Sequence, residues 1–414
     1  MTAIGNPWIP SETRTAWRIC GCRIALLGVF GNSRAEGGSR PQIAYSTLRN
    51  RIQANGPLSN SPLAKVSGRR VFITGHTGFK GAWMTSWLET LGCEICGYAL
   101  PAEPNSLFAE LGLAGRIRHQ EGDIRDRSRL LASLSDFKPD VVLHFAAQPL
   151  VLTSLQEPVD TWATNVMGTA NLLEGITLIP KEVAVLIVTT DKVYEDTGSG
   201  RPHVETDRLG GRDPYSASKA ACELLVASWN SSGLATNARI ATARAGNVIG
   251  GGDWSEHRIV PDLARAYISG TPVRVRNPEA VRPWQHVLDA LFGYLCLLAK
   301  LCGEDDCAAS YNFGPGWAAN RTVSQLIAEF NKYLEVPSVT IEASRRSIET
   351  PVLRLDCELA YRDLPWSPVW AFEDTVKKTA NWYGRFASGD SSKDLVARDL
   401  SQFELDSDCA SQNH

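Results

Sequence analysis

The run Arg70-Val71-Phe72-Ile73-Thr74-Gly75-His76-Thr77-Gly78-Phe79-Lys80-Gly81 decides the fold. It opens as a short apolar strand and ends in a turn that carries three glycines. A helical segment follows from about Ala82 to Leu91, and Gly92 is typical of a helix C-terminus. The next predicted strand runs from Cys93 to Leu100. A strand, a glycine turn, a helix and a second strand within roughly thirty residues predict a βαβ unit.

The three glycines of this turn have separate uses in a dinucleotide-binding site. Gly75 permits the tight turn, Gly78 lets the backbone approach a pyrophosphate, and Gly81 allows the helix to lie close to the strand. The N–H groups at the helix N-terminus are donors for the same anion. The turn lies between the first strand and the first helix, and this position predicts dinucleotide binding.

The alternation of strands and helices continues beyond this unit. The remaining predicted elements of the first half are strands ending at Asp126, Phe145, Thr189 and Arg244, and helices from Val159 to Ile176 and from Tyr215 to Asn230. The strands are short runs rich in Val, Ile, Leu and Ala, as expected when both faces of a sheet are covered. The sequence therefore predicts an α/β fold with a doubly wound parallel (Rossmann) sheet, in which ligands bind at the carboxyl ends of the strands.

Tyr215 and Lys219 lie four residues apart, one turn apart on the same face of the predicted helix. A neighbouring ammonium favours the phenolate, so it lowers the pKa of the phenol towards the range of a general base. The alternative is an ordinary amphipathic helix that carries a Tyr and a Lys. For Thr190-Asp191-Lys192, the alternative to catalysis is a strand-end turn with solvated charges. The triplet follows a predicted strand and precedes Tyr215, and together with the glycine turn this favours a catalytic site.

The chain from about Gly246 alternates less regularly and predicts a smaller C-terminal domain that binds substrate. Gly250-Gly251-Gly252-Asp253-Trp254 is predicted as a loop, because consecutive glycines disfavour a helix. Arg276, Arg282 and His286 are candidates for binding a nucleotide diphosphate, since Arg holds phosphate by two-point contact. The alternative is a solvated basic face with a hydrogen-bonded histidine.

The composition argues against several classes of protein. Lys and Arg number 42 and Asp and Glu 45, and the resulting net charge of -3 gives no electrostatic case for nucleic acid or for an acidic membrane surface. No apolar run approaches the roughly twenty residues that span a bilayer. The cysteines lack the paired spacing of a zinc site, and Cys93 and Cys96 are followed by no second pair. We therefore expect no metal, and free thiols in a reducing compartment.

Four segments are predicted along the chain. Residues 1–67 predict a disordered extension, with a transit or export signal as the alternative. Residues 68–245 are the predicted dinucleotide-binding domain, and residues 246–387 are mainly the substrate-binding lobe. Residues 388–414 predict a polar tail that frays, apart from a short helix near Leu400.

Together these residues resemble the extended short-chain dehydrogenase/reductase family and, within it, the sugar-nucleotide 4,6-dehydratases. The runs Gly75–Gly81, Ala146–Val151, Arg244–Trp254 and Arg282–Val287 are similar to those of the CDP-glucose subfamily. The resemblance implies NAD as cofactor, a nucleotide sugar as substrate, and a cytoplasmic homodimer formed through the helices that bear Tyr215 and Asn165. It implies loss of water from CDP-D-glucose, with a hydride leaving sugar carbon 4 and returning to carbon 6.

The resemblance also assigns catalytic roles. Tyr215 takes the proton of the carbon 4 hydroxyl, Thr190 hydrogen-bonds that hydroxyl, and Lys219 holds the nicotinamide ribose. Asp191 is the general acid for the departing carbon 6 hydroxyl, while Lys192 either removes the carbon 5 proton or only orients the intermediate. The implied cofactor contacts are Gly75, Thr77, Gly78, Phe79, Lys80, Gly81, Asp123, Ile124, Ala146, Ala147, Gln148, Asn165, Tyr215 and Lys219. The implied substrate contacts are Asn247, Asp253, Trp254, Arg258, Arg276, Arg282 and His286.

The chain departs from the family pattern at three places. The family usually has an Arg and a Ser-Tyr pair where this chain has Leu152-Thr153-Ser154-Leu155, and a Gly where it has Pro365. The strand that ends near Leu100 offers neither an acid for a ribose diol nor an Arg for a 2′-phosphate, so NAD rather than NADP rests on the resemblance. The alternatives to a dehydratase are an epimerase on the same scaffold, which would not need Asp191, and a catalytically inactive dinucleotide-binding scaffold.

Overall fold

The computed structural model describes residues 62–341 and 352–411. In chain order its strands are β1 (Arg70–Thr74), β2 (Glu94–Ala99), β3 (Arg118–Glu121), β4 (Val141–His144), β5 (Val183–Val188), β6 (Ala238–Ala245), β7 (Val248–Ile249), β8 (Val273–Val275), β9 (Val281–Pro283), β10 (Gln285–His286), β11 (Ser310–Phe313), β12 (Asn320–Thr322) and β13 (Val339–Ile341). Seven of them form a sheet in the order β11-β6-β5-β4-β1-β2-β3. Every neighbouring pair in this sheet is parallel, which confirms the predicted doubly wound fold.

Helices cover both faces of the sheet. They are α1 (Phe79–Thr90), α2 (Leu107–Glu110), α3 (Arg127–Phe137), α4 (Val151–Gln156), α5 (Pro158–Trp162), α6 (Gly168–Thr177), α7 (Pro214–Ser232), α8 (Ile259–Ser269), α9 (Val287–Leu301), α10 (Val323–Phe330), α11 (Glu358–Asp363), α12 (Phe372–Ala387) and α13 (Ser392–Ser411). A π-helical turn, Ala163–Met167, joins α5 to α6, so the predicted helix from Val159 to Ile176 exists but changes its hydrogen-bond period at Asn165.

The core has one layer on each face of the sheet, because successive side chains of a strand point to opposite sides. In β1, Val71 and Ile73 belong to one buried cluster and Phe72 belongs to the other. The first cluster includes α9 and the C-terminal helices, and the second includes α3 and α6. The strand order reverses between β1 and β4, and in folds of this kind such a reversal opens a crevice at the carboxyl ends of the strands.

The sheet extends past the predicted boundary at Ala245. Its seventh strand, β11, pairs with β6, and α9 packs against β5 and β6. The described C-terminal segments are therefore built partly around the sheet. The three remaining strand pairs, β10 with β7, β12 with β9 and β13 with β8, are short two-stranded sheets. The division into a cofactor-binding domain and a substrate-binding lobe stays a prediction.

Two expectations about the ends of the chain were wrong within the described residues. Residues 62–67 belong to the folded part of the chain and not to a disordered extension, because Leu63 and Val66 are buried in the core. Beyond Ser388 the chain forms α13, a helix of 20 residues, where fraying was expected. Leu400 and Phe403 on this helix are fully buried, and Phe403 contacts the ring of Trp87 edge-on at 5.6 Å between centroids. The rest of the predicted extension, residues 1–61, lies outside the described residues.

No helix in the described part of the chain is both long and apolar enough to cross a membrane. Over the same residues, no group of three or more His, Cys, Asp or Glu side chains is placed to hold a metal ion.

Candidate active site

A cavity of about 590 Å³ lies at the carboxyl ends of the strands. One side, here called the catalytic wall, consists of residues 75–81, 123–124, 146–147 and 190–192 together with Tyr215 and Lys219. The opposite side, here called the substrate wall, is lined by residues from 247–262 and 274–282. Most of the residues predicted to bind cofactor or substrate, and all five predicted to be catalytic, therefore face one space.

The glycine turn shapes the start of the catalytic wall. Gly75 has a φ of +72°, and a Cβ there would lie 2.6 Å from the backbone N of Ala146. A Cβ on Gly81 would lie 2.3 Å from the carbonyl O of Gly75. Gly78 is the N-cap of α1 and offers no side-chain cap, so the first N–H groups of the helix point towards the cavity without a side-chain acceptor. This is the backbone cradle that a pyrophosphate requires.

Asn165 and Gln148 support this wall and do not line the cavity. The side chain of Asn165 accepts a hydrogen bond from the backbone N–H of Gln148 at 2.8 Å and donates to the hydroxyl of Ser218 at 2.9 Å. Asn165 thereby ties the loop after β4 to α7. The prediction that these two side chains contact the cofactor is not supported, because they are used within the protein.

Asp123 lines the cavity next to Ile124 after β3. Its carboxylate accepts from Arg125, whose Nη2 lies 2.6 Å from Oδ2, and this bond holds the pKa of Asp123 below its usual range. Arg125 also lines the cavity and was missed in the sequence. Its position two residues after Asp123 is the sequence feature that could have identified it.

The catalytic residues come from the end of β5 and the start of α7. Asp213 caps α7 by accepting from the backbone N–H of Ser216 at 2.9 Å, and Pro214 occupies the first helical position, as the sequence favours. This places the buried Tyr215 side chain beside Thr190 at the cavity. The Thr190 hydroxyl donates to Oδ1 of Asp191 at 3.0 Å, and Oδ2 of the buried Asp191 has no hydrogen-bond partner.

The predicted effect of Lys219 on Tyr215 was wrong for this structure. Burial raises the pKa of Tyr215 to about 12, and the influences that lower it are the hydrogen bond with Thr190 and the charge of Arg258. The ammonium of Lys219 donates to the carbonyl O of Val188 at 2.8 Å. Helical spacing put the two side chains on one face, but the degree of burial, which spacing does not reveal, decides the sign of the shift.

Lys80 reaches into the same space from the first turn of α1. Its Nζ lies 5.8 Å from the ring centroid of Tyr294. Burial lowers the pKa of Lys80 to about 8, and Arg258 and Lys219 lower it further while Asp191 opposes them. The side chain is therefore a cation close to the catalytic carboxylate, in addition to its predicted place beside the cofactor.

On the substrate wall, Asn247, Asp253, Arg258, Arg276 and Arg282 line the cavity. The carboxylate of Asp253 accepts from the backbone N–H of Ser255 at 3.0 Å and from Arg258 Nη1 at 3.3 Å, so it stabilises the loop. Arg276 is exposed and Arg282 is buried. Sequence reasoning missed Arg274, which lies two residues before Arg276, a spacing that places both on one side of an extended segment.

Two predicted substrate contacts point away from the cavity. His286 is fully buried, accepts at Nδ1 from the backbone N–H of Leu288 at 3.2 Å, and lies edge-on to Trp370 at 4.6 Å between centroids. Trp254 contacts the rings of Tyr383 and Phe386 on α12. Both residues are turned inward by aromatic side chains that lie far along the chain.

Comparisons with known proteins agree with this geometry. The family model described as GDP-mannose 4,6 dehydratase matches residues 72–379. The chain is 37% identical over 346 residues to the CDP-glucose 4,6-dehydratase of Salmonella typhimurium, covering 81% of this chain and 96% of that protein. It is 26% identical over 334 residues to a dTDP-glucose 4,6-dehydratase of Xanthomonas campestris, covering 75% of this chain and 92% of the relative.

Solved structures give the same fold. The dTDP-glucose 4,6-dehydratase of Streptomyces venezuelae with NAD bound is similar with a TM-score of 0.65 and 25% identity, over 76% of this chain and 97% of that one. UDP-glucose 4-epimerase of Thermus thermophilus in complex with NAD is similar with a TM-score of 0.67 and 23% identity, over 76% of this chain and 99% of the other.

Proposed function

The chain belongs to the GDP-mannose 4,6-dehydratase family, and on that premise we propose that it is a CDP-glucose 4,6-dehydratase. The reaction converts CDP-D-glucose to CDP-4-dehydro-6-deoxy-D-glucose and water. The identity to the Salmonella enzyme over nearly its whole length supports the substrate. The observation that carries the reaction is the Thr190-Asp191 hydrogen bond beside Tyr215 in the cavity, with one carboxylate oxygen of Asp191 unpartnered. An epimerase needs no acid at that position.

The catalytic wall fits NAD. Gly75 and Gly81 leave no room for a Cβ, and the uncapped N-terminus of α1 faces the place where a pyrophosphate would lie. Gly75, Thr77, Gly78, Phe79, Lys80, Gly81, Asp123, Ile124, Ala146 and Ala147 would hold the cofactor. When bound, NAD accepts a hydride from sugar carbon 4 and returns it to carbon 6. The residue directly after β2 is Leu100 and not an acid, so the choice of NAD over NADP is supported by the relatives whose structures contain NAD.

Tyr215 and Thr190 act on the carbon 4 hydroxyl. Both side chains line the cavity next to each other, where a substrate hydroxyl can join them. Since burial raises the pKa of Tyr215 to about 12, the phenol holds its proton at neutral pH until a cation approaches it. Lys219, one turn further along α7, supplies that cation when its ammonium leaves the Val188 carbonyl.

Asp191 protonates the carbon 6 hydroxyl as it departs. A ketone at carbon 4 makes the carbon 5 proton acidic, and loss of this proton together with the hydroxyl is the dehydration. Lys192 lines the cavity beside Asp191 and is a candidate base for carbon 5. Lys80 is a second candidate, because its pKa of about 8 leaves a usable fraction of neutral amine near neutral pH. Arg258, Arg276 and Arg282 on the other wall hold the diphosphate.

We also infer a homodimer formed through α5, α6 and α7. Apolar side chains on these helices are unusually exposed for their type: Val159 at 78%, Leu224 at 62% and Met167 at 57%. Val159→Glu combined with Met167→Glu is expected to halve the mass measured by light scattering. Ile268→Glu, at an apolar position on α8 that is 46% exposed, is the control and should leave the mass unchanged. A monomeric wild-type protein would contradict the inference.

A cytoplasmic location is part of the proposal. Among the described cysteines, Cys96, Cys222, Cys296 and Cys357 are buried thiols that form no disulfide. Unpaired thiols in this number are typical of a reducing compartment.

The test is incubation with CDP-glucose and NAD, following the alkali-induced absorbance of a 4-keto-6-deoxy sugar. The same assay with dTDP-, UDP- and GDP-sugars runs in parallel, and Tyr215→Phe and Asp191→Asn are the controls. Product from CDP-glucose alone, absent in both variants, is the expected result. Product from another nucleotide sugar alone would contradict the substrate. A carbon 4 epimer would indicate an epimerase, and NAD binding without any product would indicate an inactive scaffold.

A further inference from the structure

A buried ion pair lies directly behind the catalytic wall. Glu223 is on α7, eight residues after Tyr215 and four after Lys219, so the three share one face of the helix. Arg244 is on β6, and its Nη2 lies 2.7 Å from Oε2 of Glu223. The two residues are 5% and 4% exposed. Neither lines the cavity.

The pair is bound to both sides of the catalytic triplet. On the near side, the hydroxyl of Thr189 donates to Oε1 of Glu223. On the far side, Arg244 Nη1 donates to the hydroxyl of Tyr194 at 2.9 Å, and that hydroxyl donates to Oδ1 of Asn312 on β11 at 2.6 Å. Thr189 and Tyr194 are the residues just outside residues 190–193, so the chain is fixed immediately before and after Thr190-Asp191-Lys192.

A second hydroxyl reaches the same carboxylate from elsewhere. Thr242 on β6 donates to Oε2 of Glu223 at 2.7 Å. Its side chain is as deeply buried as that of Thr189, but no catalytic residue adjoins it in the chain. The two threonines make the same kind of bond to the same carboxylate, but Thr189 adjoins the catalytic residues and lines the cavity, whereas Thr242 does neither.

The cost of such a pair points to a role beyond stability. Removing two charges from water is expensive, and apolar side chains of similar volume usually stabilise a core at least as well. What the pair supplies here is a fixed connection between α7, which carries Tyr215 and Lys219, and the segment that carries Thr190 and Asp191. Shared binding of a substrate hydroxyl by Tyr215 and Thr190 would depend on this spacing, because hydrogen bonds weaken steeply with distance and angle.

We propose that Glu223 and Arg244 are positioning residues, which set the distance between the Tyr215 hydroxyl and the Thr190-Asp191 pair through Thr189 and Tyr194. The proposal rests on the proposed function of those catalytic residues. It assigns Glu223 no contact with substrate or cofactor.

The matched variants Thr189→Val and Thr242→Val test the proposal. Each removes one hydroxyl donor to Glu223 and keeps a β-branched side chain of nearly the same shape, whereas removing Glu223 or Arg244 itself would leave a buried charge and unfold the protein. We expect kcat of Thr189→Val to fall roughly tenfold while kcat of Thr242→Val stays within about twofold. KM for CDP-glucose and NAD should change less than about twofold in both, because neither threonine hydroxyl is assigned a ligand contact.

Tyr194→Phe tests the far side of the triplet. The phenyl ring keeps its stacking on His203, which has a centroid distance of 4.6 Å, and loses only the hydroxyl. A fall in kcat similar to that of Thr189→Val, again without a change in KM, is expected. Equal kcat in Thr189→Val, Thr242→Val and Tyr194→Phe would overturn the proposal. So would a fall in kcat that simply follows the loss in melting temperature.

Hydrogen–deuterium exchange of the full-length chain separates this proposal from the proposed function. Faster exchange at residues 189–194 in Thr189→Val, but not in Thr242→Val, is expected whether or not the wild-type protein turns over CDP-glucose. Equal exchange in both variants would overturn the positioning role. A wild-type protein that turns over no nucleotide sugar would contradict the proposed function alone.

Discussion

The two walls of the cavity are built in different ways. Apart from Tyr215 and Lys219 on α7, the catalytic wall consists of short segments that directly follow β1, β3, β4 and β5, so the register of one parallel sheet fixes where each segment begins. The substrate wall consists of loops, the start of α8 and two-stranded sheets, which have no such common frame. The difference teaches that groups needed for chemistry lie on the rigid side, and groups needed for recognition lie on the side whose sequence is easier to change.

The substrate wall is instead held from behind by aromatic side chains. The hydroxyl of Tyr383 donates to the carbonyl O of Asp253 at 2.7 Å, and Trp83 Nε1 donates to the carbonyl O of Gly251 at 3.0 Å. A Cβ on Gly251 would lie 2.0 Å from the ring of Trp382. The glycine run is therefore required by close packing. Its position depends on α12, which follows it by more than a hundred residues in the sequence.

The largest expected effect is on the catalytic wall. Asp191→Asn removes the proton donor without changing the shape of the side chain, and general acid catalysis contributes about 10²–10⁴-fold. We expect kcat to fall by that factor and KM for CDP-glucose to stay within about threefold, measured by steady-state kinetics. NAD binding, followed by fluorescence, is the control for folding. A large rise in KM with unchanged kcat would mean that Asp191 belongs functionally to the substrate wall.

Arg276→Ala should give the opposite pattern. Arg276 is exposed on the cavity rim, so it is available for a phosphate. Its Nη2 makes only a long hydrogen bond of 3.5 Å to the carbonyl O of His257. Losing one charge-assisted hydrogen bond is expected to raise KM for CDP-glucose about tenfold, with kcat within about twofold. Arg208→Ala is the matched control, since this exposed arginine is paired with Glu195 outside the cavity. Equal effects of the two substitutions would contradict the assignment of Arg276.

The same contrast explains how much of the site the sequence predicts. Residues on the catalytic wall follow from local pattern, because a strand, its end and the next helix can be recognised in one stretch. Trp254 and His286 were misplaced because their partners, Phe386 and Trp370, are distant in sequence and no local signal says which aromatic side chain covers which loop. Burial is equally invisible, and it reversed the expected pKa shift of Tyr215.

The length of the C-terminal helix, predicted only as a short helix near Leu400, was underestimated for a related reason. The composition of residues 392–411 is polar, but Leu395, Val396, Leu400 and Phe403 are buried. These four residues share one face of a helix, a period that a count of polar residues conceals. Ion pairs such as Glu223 with Arg244 are harder still, because the sequence shows charged residues without showing that the fold removes them from water.

The catalytic wall carries a lysine, Lys80, and the substrate wall carries arginines. The pH dependence of substrate binding therefore distinguishes the contributions of the two walls. Burial, with Arg258 and Lys219, lowers the pKa of Lys80 to about 8, so this ammonium loses its charge as pH rises through 8, whereas the arginines opposite stay charged. We expect kcat/KM to fall several-fold between about pH 7 and pH 9.5, and Lys80→Met to be low and flat over this range.

Unfolding does not account for such a loss of kcat/KM, because the titration of Lys80 changes the free energy of unfolding in the opposite direction. Between pH 8 and the ordinary lysine pKa near 10.4, the unfolded chain binds more protons at this position than the folded one, so the Lys80 contribution to the free energy of unfolding rises with pH. Thermal melts across the same range are the control. An activity that rises through pH 8 and is lost in Lys80→Met would contradict the role as a cation and identify the neutral amine as the base for carbon 5.

The smallest effect concerns the departure from the family at α4. Leu152 lines the cavity, but Leu155 is 41% exposed and lies outside it, so only one of the two changes can alter a contact with substrate or cofactor. Leu152→Arg restores the residue type usual in the family and places a cation near the bound nucleotides, so KM for CDP-glucose should fall about threefold. Leu155→Ser should leave kcat and KM within about twofold, and it serves as the matched control. A larger effect from Leu155→Ser would show that the exposed face of α4 matters for activity. It would assign this helix to the interface between two copies of the chain and not to the wall of the cavity.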